Sequence, residues 1–163
     1  MNTTTTLTSM LNTQIQKEFE SAYIYLGFAA FFDMKRLAGF GGWYKHQAKK
    51  EEEHAMKIYD YLCKVNQPVE LMPIGAPKNK PETISQVLKQ SLEHEEYVTN
   101  LITTLYFQAE KEKNLFAKNF LNWFINEQLE EEQKAKELID KYKMFGSTPE
   151  GLYALDKELG GRQ

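Results

Sequence analysis

The sequence predicts an all-α fold: four long helices, one long connection and a short fifth helix. Three observations carry this reading. Glycine and proline are confined to a few places. Between them, apolar residues recur every three or four positions, the period of a helix with one buried face. Runs of β-branched residues, which would support strands, are absent.

The elements follow in order. Residues 7–36 contain only Gly27 and no proline, and Leu7, Leu11, Ile15, Phe19, Ala22 and Leu26 form an apolar stripe. Leu37-Ala38-Gly39-Phe40-Gly41-Gly42 reads as a break with three glycines. A second helix is expected over 43–66, with Ile58, Tyr61, Leu62 and Val65 on one face. Residues 67–82 hold Pro68, Pro73, Gly75, Pro77 and Pro81 and read as a loop. Residues 83–145 lack both breakers and are too long for one ordinary helix. A turn near Lys111 to Asn114 divides them into helices over 83–110, with Leu88, Leu92, Leu101 and Leu105, and 114–145, with Leu121, Phe124, Ile125 and Leu129. Thr148 followed by Pro149 reads as an N-cap and first helical residue, opening a short helix over 149–159.

Loop lengths bear on topology. A helix of about 27 residues is about 40 Å long, and residues 67–82 fully extended reach about 50 Å. The second link can therefore return along the whole bundle and make helices two and three parallel, the ferritin-like arrangement. An up-down bundle with an overgrown loop is the alternative. The chain of 163 residues is expected to be one domain over 1–163.

Composition narrows the function. A net charge of −3 disfavours sequence-independent nucleic-acid binding. One cysteine, Cys63, excludes an internal disulfide and a CxxC metal knuckle. No positive charge precedes Lys17, so a secretory signal pattern is not seen. The longest dense apolar run, Phe28 to Phe32, is far short of a membrane span. A cytoplasmic protein is expected, with neither nucleic acid nor membrane as partner.

Several polar residues lie close to the apolar stripes. Glu18 precedes Phe19 and lies four before Ala22. Glu51 and His54 are three apart on one face of the second helix, which continues into Ile58 and Tyr61. Such a Glu–His pair turned inward suits a carboxylate-bridged di-iron element, and turned outward it is an ordinary surface ion pair. Glu95 falls three after Leu92; Gln128 and Glu131 are three apart beside Ile125 and Leu129, with Glu127 and Glu130 extending that surface. If Glu18, Glu51, His54, Glu95 and Glu131 converge, their repulsion and lost hydration call for metal ions. Oxygen ligands with one imidazole suit Fe(II), Mn(II) or Zn(II).

These residues carry a resemblance. Glu18 with Tyr25, the run Lys50-Glu51-Glu52-Glu53-His54, Glu95, the segment from Asn122 to Glu132 and the tail from Glu150 to Leu159 are similar to the bacterial non-haem ferritins, nearly end to end. The resemblance implies an iron-storage protein with ferroxidase activity. Fe(II) would be oxidised by O₂ or hydrogen peroxide at a di-iron centre inside each subunit, and ferric mineral stored in a hollow shell of 24 subunits. By position, Glu18, Glu51 and His54 would take the first iron. Glu51 would bridge to a second held by Glu95 and Glu131, with Gln128 beside it. Tyr25 would lie against the centre, bonding a ligand carboxylate, and Trp123 is either a second electron donor or a core residue.

The subfamily often has a third iron position. Glu127 and Glu130 match two of its residues, while Lys50 stands where a third Glu is expected. A lysine there either weakens the position or speeds transit of iron. Gln128-Leu129-Glu130-Glu131 breaks the second Glu-x-x-His pair of bacterioferritins, and no haem is expected, although Met34 and Met56 are residues of the ligand type. Two rivals stay open: a di-metal bundle reducing peroxide, as in rubrerythrin-like relatives, and a metal-free structural bundle.

Overall fold

The helices of the structure, a computed structural model, begin and end where local chemistry lets them. Residues 4–78 and 80–162 are described, with side chains from Leu7 onward; Asn79, within the expected loop, lies outside the described residues. The elements are α1 (Thr4–Met34), α2 (Ala38–Lys64), α3 (Ile84–Lys111), α4 (Leu115–Phe145) and α5 (Pro149–Gly160). The described residues contain no strand and no helix long and apolar enough to cross a membrane.

Thr83 starts α3 with a capping box: its side chain accepts from Gln86 N–H while the Gln86 side chain bonds back. Asn114 caps α4 by accepting from Ala117 N–H at 3.1 Å. Thr148 caps α5 by accepting from Gly151 N–H at 3.0 Å, with Pro149 opening the helix. Three helices end on non-glycine residues in the left-handed region: Arg36, Asn66 and Lys113, at φ of 62°, 61° and 55°. Each is followed by an N–H that reaches back five residues, Leu37 to Phe32, Gln67 to Leu62 and Asn114 to Ala109. That bond satisfies a helix-end carbonyl.

The second helix begins at Ala38 rather than Trp43, so the three glycines sit in its first turns and not in a linker. Two of them, Gly39 and Gly41, serve close approach. A Cβ on Gly39 would stand 1.6 Å from the Asp156 carbonyl oxygen, and one on Gly41 2.2 Å from Asp33 Oδ1. No side chain of α2's own end caps it. Instead Asp156 on α5 accepts from Phe40 N–H at 2.9 Å.

The crossover of residues 65–83 tracks α1. Thr8 donates to Gln67 at 2.8 Å, Asn12 accepts from Glu70 N–H at 2.7 Å, Gln16 donates to the Pro73 carbonyl at 2.6 Å, and Pro77 lies against Gly27. It therefore climbs beside α1, and α3 starts at the far end, parallel to α2. Helix α1 packs mainly on α2, and α3 mainly on α4.

The core is split into two apolar clusters. One gathers Leu11, Ile15, Ile58, Leu62, Ile102 and Leu121; the other gathers Phe28, Phe32, Phe40, Tyr44, Leu88 and Leu138. On every long helix the residues between the clusters are polar and buried: Glu18, Glu51 with His54, Glu95, and Gln128 with Glu131. The inward stripe of α4 is Leu121, Phe124, Gln128, Glu131, Ala135 and Leu138. Ile125 and Leu129, expected on that stripe, are exposed, as is Leu26 on α1. Helical phase sets this: once Gln128 and Glu131 face inward, Ile125 and Leu129 must turn away.

Candidate metal centre

The four long helices meet in a layer of buried carboxylates. Glu18, Glu51 and His54 each offer a ligand atom within 4.8 Å of the others, and so do Glu51, Glu95 and Glu131. Glu51 belongs to both triads. His54 Nδ1 lies 3.2 Å from Glu51 and 3.8 Å from Glu18, the second too long for a hydrogen bond but within reach of charge attraction. Glu18 Oε2 is buried without a hydrogen-bond partner. An orphaned carboxylate oxygen beside an imidazole is costly unless a cation takes it. The donor set, carboxylates with one imidazole, fits divalent Fe, Mn or Zn.

Burial and the neighbouring charges shift the proton affinity of these groups. Burial, then the charges of Glu95 and Glu18, pushes Glu51 well above the ordinary carboxylate range despite His54. Burial and the Glu131 charge raise Glu95 to about 8. Burial opposes charge on His54, but Glu18 and Glu51 outweigh it and raise the imidazole to about 11. Burial likewise opposes charge on Glu18 and Glu131. His54, Glu51 and Gln14 hold the first below its usual value, and Lys50, with Glu127 and Gln47, the second.

Donors position these carboxylates. Gln14 donates to Glu18 at 2.9 Å. Gln47 donates to Glu51 at 3.2 Å and also to Glu131. Arg162, beyond α5, donates to Gln47 Oε1 at 2.9 Å and to the Trp43 carbonyl at 3.0 Å. The buried Tyr25 hydroxyl donates to Glu95; burial and the Glu95 charge push its pKa well up and keep it a phenol. Gln128 donates to Glu95 Oε2 at 3.3 Å and to the Glu95 carbonyl at 3.2 Å.

The expected residues therefore fall into groups. Glu18, Glu51, His54, Glu95 and Glu131 converge, with Tyr25 and Gln128 beside Glu95. Glu127 is engaged by Lys50 Nζ at 3.1 Å, and Glu130 is exposed on α4 and joins neither triad. Trp123 is 38% exposed, its ring edge-on to His54 and under the Lys57 ammonium, and it is no part of either core cluster. Sequence reasoning missed Gln14, Gln47 and Arg162. The first two carry a signal: each lies one helical turn before a converging Glu, where i,i+4 side chains meet.

A family model described as "Ferritin-like domain" matches residues 8–145. The chain belongs to the ferritin-like family. This ferritin-like chain is 36% identical over 156 residues to a bacterial non-heme ferritin of Staphylococcus haemolyticus, covering 96% of this chain and 94% of that protein. It is 35% identical to one of Staphylococcus aureus, with the same coverage. Among solved structures it is similar to an open pore ferritin from the hyperthermophilic archaeon Archaeoglobus fulgidus, with a TM-score of 0.94 and 36% identity, covering 97% of this chain and 98% of that one. A humanized archaeal ferritin superposes with the same TM-score at 37% identity, covering 97% of each chain.

Proposed function

We propose that this ferritin-like chain oxidises Fe(II) at a di-iron ferroxidase centre and stores the ferric product. The single observation that carries this is the pair of buried triads sharing Glu51. Two divalent ions side by side can each give one electron. Two Fe(II), O₂ and two protons balance to two Fe(III) and one hydrogen peroxide; with peroxide as oxidant, two further Fe(II) and two protons give two Fe(III) and two waters. Fe(III) is strongly acidifying toward bound water, so hydrolysis leads toward mineral.

Glu18, Glu51 and His54 take one iron; Glu51, Glu95 and Glu131 take the other, with Glu51 bridging. Tyr25 and Gln128 orient Glu95 by donating to it. Glu127 and Glu130 are the acidic residues past which iron leaves the centre. The chain acts as one domain over 1–163, in the cytoplasm. It assembles into a hollow shell of 24 subunits, a reading supported by the ferritin relatives and by apolar side chains left exposed on α1, α2 and the crossover: Tyr23, Leu26, Met56, Leu71 and Met72.

The test is aerobic Fe(II) titration of metal-free protein, following ferric absorbance, beside Glu51→Ala. Fast oxidation saturating near two irons per chain and lost in the variant is expected. Oxidation no faster than that of free iron overturns the reading. Light scattering gives the shell size; a monomer or dimer rules out storage and leaves the peroxide-reducing alternative.

A further inference from the structure

The cleft between α2 and α4 ends on a cation that the chain itself carries. The cleft has a volume of about 460 Å³ and is lined by Glu53, His54, Asp60, Trp123 and Glu127, with Lys50 among them. The Lys50 ammonium is 3.1 Å from Glu127 Oε1 and also contacts Glu131 Oε1. The three side chains are 19%, 14% and 2% exposed, so the ion pair is largely withdrawn from water.

The two triads therefore differ in readiness. Glu18 Oε2 has no hydrogen-bond partner and is free to bind a metal ion. Each oxygen of Glu131 carries a donor, Lys50 on Oε1 and Gln47 on Oε2. Gln47 is a neutral donor shared with Glu51. Lys50 is a full positive charge on the carboxylate that a second metal ion needs, and like charges that close repel strongly in a buried site.

We propose that Lys50 is a positioning residue of the centre, a tethered cation that stands in for a third metal ion on Glu127 and Glu131 and must release Glu131 before the second ion binds. This rests on the di-metal reading above. The flexible four-carbon stem makes release feasible, since the ammonium can swing outward into the cleft toward Glu53 and Asp60, which it would share with the Lys57 ammonium that lies over Trp123. Binding is then ordered, the Glu18–Glu51–His54 triad filling first. The chain holds two ions and not three, because the third place is already filled by an amine that no metal can share.

The test uses redox-inert Zn(II), titrated calorimetrically into assembled, metal-free protein. In the natural chain two ions bind per subunit in two steps, the second weaker. Lys50→Gln tightens the second step at least tenfold and leaves the first unchanged. Lys50→Glu adds a third ion. Lys50→Arg keeps the charge with a fixed, two-pronged grip on carboxylates, so its second step is no tighter than the natural one; this variant keeps the test decisive should Lys50→Gln fail to fold. A second step unchanged in Lys50→Gln, tightened equally in Lys50→Arg, or still only two ions in Lys50→Glu overturns the lysine's role while leaving the di-metal reading intact. Failure of the natural chain to bind Zn(II) at either triad overturns both.

Discussion

Filling the centre with metal must expel protons, and the number follows from the geometry. At pH 7 Glu95, at about 8, holds a proton, and so does His54, at about 11. Both must lose it to become ligands. About two protons should therefore leave for each pair of divalent ions bound at pH 7. By pH 9 Glu95 is already ionised, and the release drops by about one. Each displaced proton makes the binding constant tenfold smaller per unit fall in pH, so the overall two-ion constant should decrease about 100-fold from pH 7 to pH 6. The assay is calorimetry with chelator-buffered Zn(II) in two buffers of different ionisation enthalpy, which counts protons directly and avoids those released by iron hydrolysis. Release of fewer than one proton at pH 7, or an affinity flat between pH 6 and 7, would refute the account of how the buried groups are balanced.

Four further outcomes follow from the same structure. Tyr25→Phe removes the hydroxyl that donates to Glu95 and should lower Zn(II) affinity at the second position about 10-fold, the usual scale for a partner behind a ligand. The metal-free protein should melt at lower temperature at pH 9 than at pH 6. Glu95 binds its proton more tightly folded than unfolded, so its contribution is lost as pH climbs from about 4.5 to about 8, and that of His54 fades from about 6.5 to about 11; Zn(II) should flatten the trend in calorimetric scans. Gly39→Ala drives a methyl into the Asp156 carbonyl and should cost roughly 1–3 kcal/mol in denaturant unfolding, with α5 loosened first under limited proteolysis. Lys113→Gly relieves a side chain held at φ 55° and should stabilise by about 0.5 kcal/mol, read as a higher melting midpoint.

The helices, the crossover and the five converging ligands are legible in the sequence because each obeys a local rule. Stripes have a period, Thr148-Pro149 caps and starts a helix, and proline clusters in the crossover. The turn after α3 is legible only through length. It is made by Lys113 in a conformation that glycine usually supplies, so no glycine marks it. The start of α2 misleads for the opposite reason: Gly39 and Gly41 look like a break but exist for Asp156 and Asp33, which are distant or preceding in the chain. Arg162 could not be found from sequence, since its partners Trp43 and Gln47 lie more than a hundred positions away. Lys50 reads as a departure from a pattern; that it grips Glu131 is a fact of three-dimensional packing.

The pairing of α1 with α2 and of α3 with α4 divides the molecule into two hairpins, and the two metal positions relate differently to the seam between them. Glu18, Glu51 and His54 all belong to the first hairpin, so that position exists wherever this hairpin is folded. Glu95 and Glu131 belong to the second, and the other position exists only while the halves are docked. An ion there is a rivet. At a hundredfold excess over its dissociation constant it would strengthen the docked state by about 2.7 kcal/mol. Breathing that parts the hairpins should empty the riveted position first and leave the other filled. The two ions of one centre would then exchange with solution on separate clocks, one set by a hairpin's own opening and the other by the seam.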